Sequence, residues 1–261
     1  MRPRLVASDL DGTLLRRDGS VSAATRAAIE AVESAGSLFV MVTGRPPRWM
    51  PPVVEATGHR GLAVCANGAL LYDLHTEQVV RSHLLQRDAA VEVVAALRAA
   101  VPGIAFAVEG GEEDFGHEAA YRPRWESSPR RVAPIEDLLS GGTVKLLARH
   151  EEMGPDELLA AAREAVGERA VCTHSSVEAL LEISASGISK ASGLAAVAQE
   201  AGISAAECVA FGDMPNDLPM LAWAGLGVAV ANAHPDVLAA ADEICEAGEH
   251  DGVARVLARW F

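Results

Sequence analysis

Short apolar runs alternate along this chain with longer segments in which apolar residues return every three or four positions. The two periods predict different elements. "LVAS", "SLFVMVTG" and "GLAVCANGA" in the first 70 residues are nearly continuous apolar runs, the pattern of strands buried on both faces. Between the first two lies "SAATRAAIEAVESAG", an Ala-rich amphipathic helix with Ser22 as its N-cap and Gly36 as its stop. A second helix is predicted after Pro46 and Pro47. Strand–helix alternation of this kind predicts an α/β fold with a Rossmann-like, doubly wound parallel sheet.

The middle of the chain reads differently. "DLHTEQVVRSHLL" has the look of a hairpin arm, and "RDAAVEVVAALRAAV" and "PDELLAAAREAV" read as helices. "TVKLLARH", "ERAVCTH" and "ALLEISA" read as strands, and residues 109 to 134 show little periodicity. This mixture predicts a separate α+β unit at residues 84–185, inserted into a core made of residues 1–83 and 186–261. The alternation then resumes with "SKASGLAAVAQEAG", "ECVAFGD", "LPMLAWAG" and "LGVAVAN", followed by two closing helices.

Composition narrows the partners. Half of the 261 residues are apolar and only 4% aromatic, which suits helices packed on a buried sheet. A formal net charge of −14 excludes nucleic acid as the natural partner, because a phosphate backbone demands basic surface. A small phosphorylated ligand is compatible with it, provided a cation or local basic groups screen the site. Cys65, Cys172, Cys208 and Cys245 form no CxxC pair, so free thiols in a reducing cytoplasm are expected. No apolar run approaches the roughly 20 residues of a membrane span, and Asp9 and Asp11 interrupt any leader-like start.

Four polar stretches follow predicted strands or open a predicted helix. In "SDLDGTLL", Asp9 and Asp11 stand two residues apart at the end of an apolar run. In an extended strand they share a face, Gly12 permits a sharp turn, and Thr13 can hydrogen-bond a carboxylate or ligand. An ordinary DG turn accounts for the pattern equally well. "TGR" at residues 43–45 can hold a phosphoryl oxygen through hydroxyl and amide groups, with Arg45 reaching an anionic substrate group. Lys190, one of only two lysines, opens a helix whose dipole opposes it, which suits an anionic partner, a solvated surface lysine being the alternative. Lys145, the other, sits mid-strand and reads as structural. "FGDMPNDLPML" places Asp213, Asn216 and Asp217 in a loop ahead of a helix, since Pro219 is tolerated only in a first turn. Oxygen-bearing side chains in such a loop are a natural cage for Mg2+, and an Asx-rich helix cap accounts for them equally well.

Taken together and in this order, DxDGT, TGR, Lys and GDxxND resemble the four motifs of the haloacid dehalogenase-like hydrolases. The inserted unit resembles their type IIB cap. "ANGA", "LEISASGISK" and "HDGVA" are more narrowly similar to the Cof-type phosphatases. Ala191 and Ala231 stand where Gly is commoner in that pattern.

The resemblance implies a Mg2+-dependent phosphatase of small phosphorylated metabolites; a soluble, cytoplasmic chain that is a monomer or weak homo-oligomer is expected. It implies Asp9 as nucleophile and Asp11 as general acid and base. It assigns Mg2+ to Asp9, the Asp11 carbonyl and Asp213, with Asp217 orienting the set. Thr43, the Leu10 and Gly44 amides, Asn216 and Lys190 would surround the phosphoryl group. A phosphomutase on the same fold and a non-catalytic phospho-ligand sensor are the alternatives. In the cap, Glu109, Glu113, Asp114, His117, Tyr121 and Arg122 fall in the irregular stretch, where solvated loop is the plainer expectation. Hinges are expected near residues 82–85 and 184–187.

Overall fold

The computed structural model describes residues 2–110, 115–123, 130–175 and 179–261. In chain order the first elements are β1 (Leu5–Ser8), α1 (Ala23–Ser34), β2 (Leu38–Val42), α2 (Pro51–Thr57), β3 (Leu62–Cys65), β4 (Leu70–Asp73) and β5 (Gln78–Ser82). Then come α3 (Arg87–Ala100), β6 (Ala105–Glu109), β7 (Phe115–His117), β8 (Arg130–Val132), α4 (Ile135–Leu138), β9 (Lys145–Arg149), α5 (Pro155–Val166), β10 (Ala170–Thr173) and β11 (Leu180–Ala185). The chain closes with α6 (Lys190–Glu200), β12 (Cys208–Gly212), α7 (Leu218–Trp223), β13 (Leu226–Val230), α8 (Pro235–Ala240), β14 (Glu243–Cys245) and α9 (Gly252–Leu257). These elements form two compact units, Met1–Arg81 with Ser189–Phe261, and Ser82–Ile188.

The first unit is built on an eight-stranded sheet in the order β14-β13-β12-β1-β2-β3-β4-β5. Its six strands from β14 to β3 run parallel, and β4 turns back antiparallel on β3. Leu5, Val6 and Ala7 of β1 are wholly buried, as the continuous apolar run requires of a central strand. The Ser22 side chain accepts from the Thr25 amide at the start of α1, and Gly36 (φ +75°) follows its end. After Pro46 a short 3-10 turn comes first, and the α-helix starts only at Pro51. Prolines at both places fit a first turn, so the sequence alone did not fix which pair opened the helix.

The second unit carries a six-stranded sheet, β10-β11-β9-β6-β7-β8. Its side chains alternate with period two. Phe106, Val108, Leu146, Ala148, Leu181 and Ile183 join the α3 and α5 core on one face. Ala105, Ala107, Phe115, Tyr121, Leu147 and Leu180 cluster on the other. Five strands have no counterpart among the predicted elements: β4, β6, β7, β8 and β14. The last three have only three residues each, too few for an alternation to register, while β4 and β6 follow closely on other predicted elements. Among the described residues no helix is long and apolar enough to cross a membrane.

Candidate active site

Four neighbouring parallel strands, β12, β1, β2 and β3, each end in one of the polar loops, so the sheet order gathers those loops at one edge. The Asp9 amide donates to the Phe211 carbonyl at 2.9 Å, carrying the β1–β12 ladder one residue past β1. The chain then turns on Leu10, whose carbonyl accepts from the amides of Thr13, Leu14 and Leu15. Gly12 makes this turn at φ +85°, and a Cβ there would lie 2.4 Å from Asp213 Oδ2. Both the conformation and the close approach require glycine.

Lys190 lies at the centre. It is N1 of α6, behind the Ser189 N-cap, and its side chain is 1% exposed. Its Nζ donates to Asp9 Oδ1 at 2.5 Å and to Asp217 Oδ1 at 2.6 Å. The other Asp217 oxygen accepts from the amides of Asp213 and Met214, both at 3.0 Å. The Thr13 hydroxyl donates to Asp213 Oδ1 at 3.0 Å. The carboxylates of Asp9, Asp213 and Asp217 each offer an oxygen within 4.8 Å of the others, and all three residues are buried.

Burial sets the electrostatics. It pushes the Asp9 carboxyl well above its ordinary range; Lys190 opposes this, while Asp217, Asp213 and Asp11 add to it. Burial, then Asp217, lifts Asp213 to about 7 against the pull of Lys190 and Thr13. Burial alone would lower the Lys190 ammonium, but Asp217 and Asp9 together outweigh it and hold the lysine protonated. Three carboxylates thus face one ammonium, a charge excess that a divalent cation balances, and oxygen ligands are what Mg2+ takes. The donor set fits such an ion.

The turn at Leu10 ends the extended backbone. Asp11 lies near enough to Asp9 to help raise its carboxyl, although the two have different hydrogen-bond partners. The Asp11 side chain is 60% exposed and meets the Arg45 guanidinium twice: Nε donates to Oδ2 at 2.8 Å and Nη2 to Oδ1 at 2.5 Å. Thr43 is buried, and its hydroxyl accepts from the Arg45 amide at 3.0 Å.

Asn216 donates from Nδ2 to Asn67 Oδ1 at 3.1 Å, with both side chains buried. Asn67 sits in the left-handed region (φ 56°, ψ 34°), which Asn tolerates better than other side chains. Asn67, in "ANGA", is a site residue that the sequence motifs leave unassigned. An Asn-Gly pair directly after an apolar strand was the available signal.

In the inserted unit Glu109, His117 and Tyr121 are buried, against the expectation of solvated loop, while Arg122 is exposed. Glu109 ends β6 and His117 ends β7, and the Tyr121 ring lies 6.4 Å from that of Phe115 and 6.0 Å from that of His117. Glu113 and Asp114 lie outside the described residues. Lys145 opens β9, not its middle, and pairs with Glu182 of β11 at 2.5 Å.

The family model for haloacid dehalogenase-like hydrolases matches residues 6–257. The chain is 29% identical over 257 residues to the 5-amino-6-(5-phospho-D-ribitylamino)uracil phosphatase YcsE of Bacillus subtilis, covering 98% of this chain and 95% of that protein. It is also 29% identical over 268 residues to the HMP-PP phosphatase of Yersinia enterocolitica, covering 99% and 95%. Among solved structures, a haloacid dehalogenase-superfamily phosphatase from Bacteroides thetaiotaomicron aligns with a TM-score of 0.84 at 23% identity, covering 99% of this chain and 95% of the other. A subclass IIB sugar phosphatase of the superfamily aligns at 0.83 and 20%, covering 98% of each chain. At those identities the structures speak for the fold, an α/β core with an inserted cap. With the family model spanning nearly the whole sequence, the chain belongs to the haloacid dehalogenase-like hydrolases.

Proposed function

We propose that this enzyme is a Mg2+-dependent phosphatase that hydrolyses a small phosphorylated metabolite through an aspartyl-phosphate on Asp9. The observation that carries the reading is the Lys190 bridge between Asp9 and Asp217 beside Asp213. It fixes one carboxylate next to a cation-binding set while keeping that carboxylate's oxygen oriented. The named activities of the relatives, phosphatases of small phosphorylated compounds, support the substrate class.

In this reading an Asp9 oxygen bonds to phosphorus as the ester P–O bond breaks. Asp11 gives its proton to the departing oxygen. In the second half Asp11 takes a proton from water, the water oxygen bonds to phosphorus, and the Asp9–phosphorus bond breaks to release phosphate. Asp9, Asp213 and the Asp11 carbonyl would hold Mg2+, with Asp217 orienting the set, and the bound ion would supply positive charge against the phosphoryl oxygens. The Thr43 hydroxyl, the Leu10 and Gly44 amides, Asn216 and the third Lys190 hydrogen surround the same oxygens. Positioning and charge are what phosphoryl transfer chiefly needs.

Phosphate release from a panel of phosphorylated metabolites, with Mg2+ present and then chelated, tests the reading. Metal-dependent release that Asp9→Asn abolishes is expected. Isomerisation without release would instead indicate a phosphomutase, and binding without turnover a sensor.

A further inference from the structure

We infer that Arg45 is a positioning residue that acts through Asp11, by holding the carboxyl group that handles the proton, and not by taking the phosphoryl group. The inference rests on the roles proposed above for Asp9 and Asp11. Its carrying observation is the two-point contact, Nε on one Asp11 oxygen and Nη2 on the other. A planar guanidinium meeting both oxygens fixes the plane of the carboxyl as well as its place, which a point charge does not.

Asp11 needs such a hold. Its side chain is 60% exposed and lies on a tight turn, where an unrestrained carboxylate samples several rotamers. Arg45 is the more anchored partner, with a side chain 22% exposed. Its backbone is tied at both ends: its amide donates to the Thr43 hydroxyl, and its carbonyl accepts from the Ala66 amide at 2.9 Å. The fork therefore transmits the fixed geometry of the β2 and β3 strand ends to an otherwise mobile acid. It does so without blocking it, because each carboxyl oxygen has about two acceptor sites and the fork uses one of them. The outer site on either oxygen stays available for the proton that goes to the leaving oxygen.

Leaving-group dependence separates this role from phosphoryl binding. An alkyl ester such as glycerol phosphate needs a proton on its departing oxygen, whereas p-nitrophenolate leaves without one. Arg45→Ala is expected to lower kcat/KM about 100-fold for glycerol phosphate, the loss typical of a misplaced group, and only a few-fold for p-nitrophenyl phosphate. Arg45→Lys, which keeps the charge but not the fork, is expected to follow Arg45→Ala on the alkyl ester. On the alkyl ester the double variant Arg45→Ala/Asp11→Asn should be no slower than Asp11→Asn alone, since both changes remove the same aligned acid. Equal losses on the two esters, losses that multiply in the double variant, or full recovery in Arg45→Lys would each overturn the inference. Asp9→Asn is assayed in parallel: persistent turnover there would overturn the underlying mechanism and the inference with it, whereas its loss isolates any failure to Arg45.

Discussion

Lys190 and Asp217 form the innermost ion pair of the site, Nζ to Oδ1 at 2.6 Å, with side chains 1% and 0% exposed. The pair is not isolated, since the same ammonium reaches Asp9 and the same carboxylate accepts two backbone amides. Removing one partner of such a pair leaves a buried charge uncompensated, at a cost of about 3–5 kcal/mol. Lys190→Met is therefore expected to lose about that much stability in a urea titration at neutral pH, and to lose phosphatase activity. A variant as stable as the parent would show that the bridge contributes nothing net to the fold.

A site residue can also be lost without being touched. Gly68 has φ +100°, and a Cβ there would stand 2.1 Å from the Ser189 carbonyl oxygen, at the N-cap of the helix that opens with Lys190. Backbone cannot move aside as a flexible side chain does. Gly68→Ala should therefore shift the start of α6 and the lysine with it. Turnover is expected to fall by about tenfold or more, as for other remote displacements of a reacting group, together with a lower melting temperature. Unchanged turnover in Gly68→Ala would show that α6 is not fixed by this contact.

Much of this arrangement was legible in the sequence, for physical reasons that differ by residue. Asp9, Lys190, Asp213 and Asp217 stand out because each is a polar group at the edge of a strongly periodic element. The helix opened by Ser189 and the loop fixed by Pro219 could be placed before any contact was known. Asp11 stands out in the same way, at the turn on Leu10 that follows β1, and its carboxylate meets Arg45. That pairing joins residues 34 apart in sequence and has no local signal. Asn67 was missed because its pairing with Asn216 spans 149 positions. In the inserted unit α3, α5, β9, β10 and β11 were legible, whereas β7 and β8 have three residues each and carry no readable period, and β6 and the four-residue α4 went unread.

All four cysteines are buried and none is in a disulfide. Burial pushes the Cys172 thiol up to about 12 and those of Cys208 and Cys245 to about 11, so no thiolate forms there at neutral pH. Native protein is expected to react slowly with a thiol-specific disulfide reagent at pH 7.5 and to show four reactive thiols once unfolded. Rapid native labelling would contradict the burial.

The Asp213 carboxyl ties stability to pH and to the cation together. Folding raises it to about 7 through burial and the nearness of Asp217, whereas in an unfolded chain an aspartate titrates near 3.9. Between about pH 4 and 7 the folded protein therefore holds a proton that the unfolded chain has lost. The contribution of Asp213 to stability falls as pH rises through that window and is gone above it. Asp9 is shifted the same way and adds to the slope. Glu207, lowered to about 2 by the Ser204 cap and Arg4, acts oppositely but only below its ordinary range, so a comparison from pH 5 to 8 leaves it out. A divalent cation relieves the same charge crowding that the proton relieves. Chelated protein is thus expected to melt higher at pH 5 than at pH 8, and Mg2+ to raise the melting temperature more at pH 8. Asp213→Asn removes the titrating group, so its chelated form should show a shallower fall over the same range. A parent whose chelated melting temperature rises from pH 5 to 8, or a variant with the parent's full slope, would show that Asp213 does not carry the coupling.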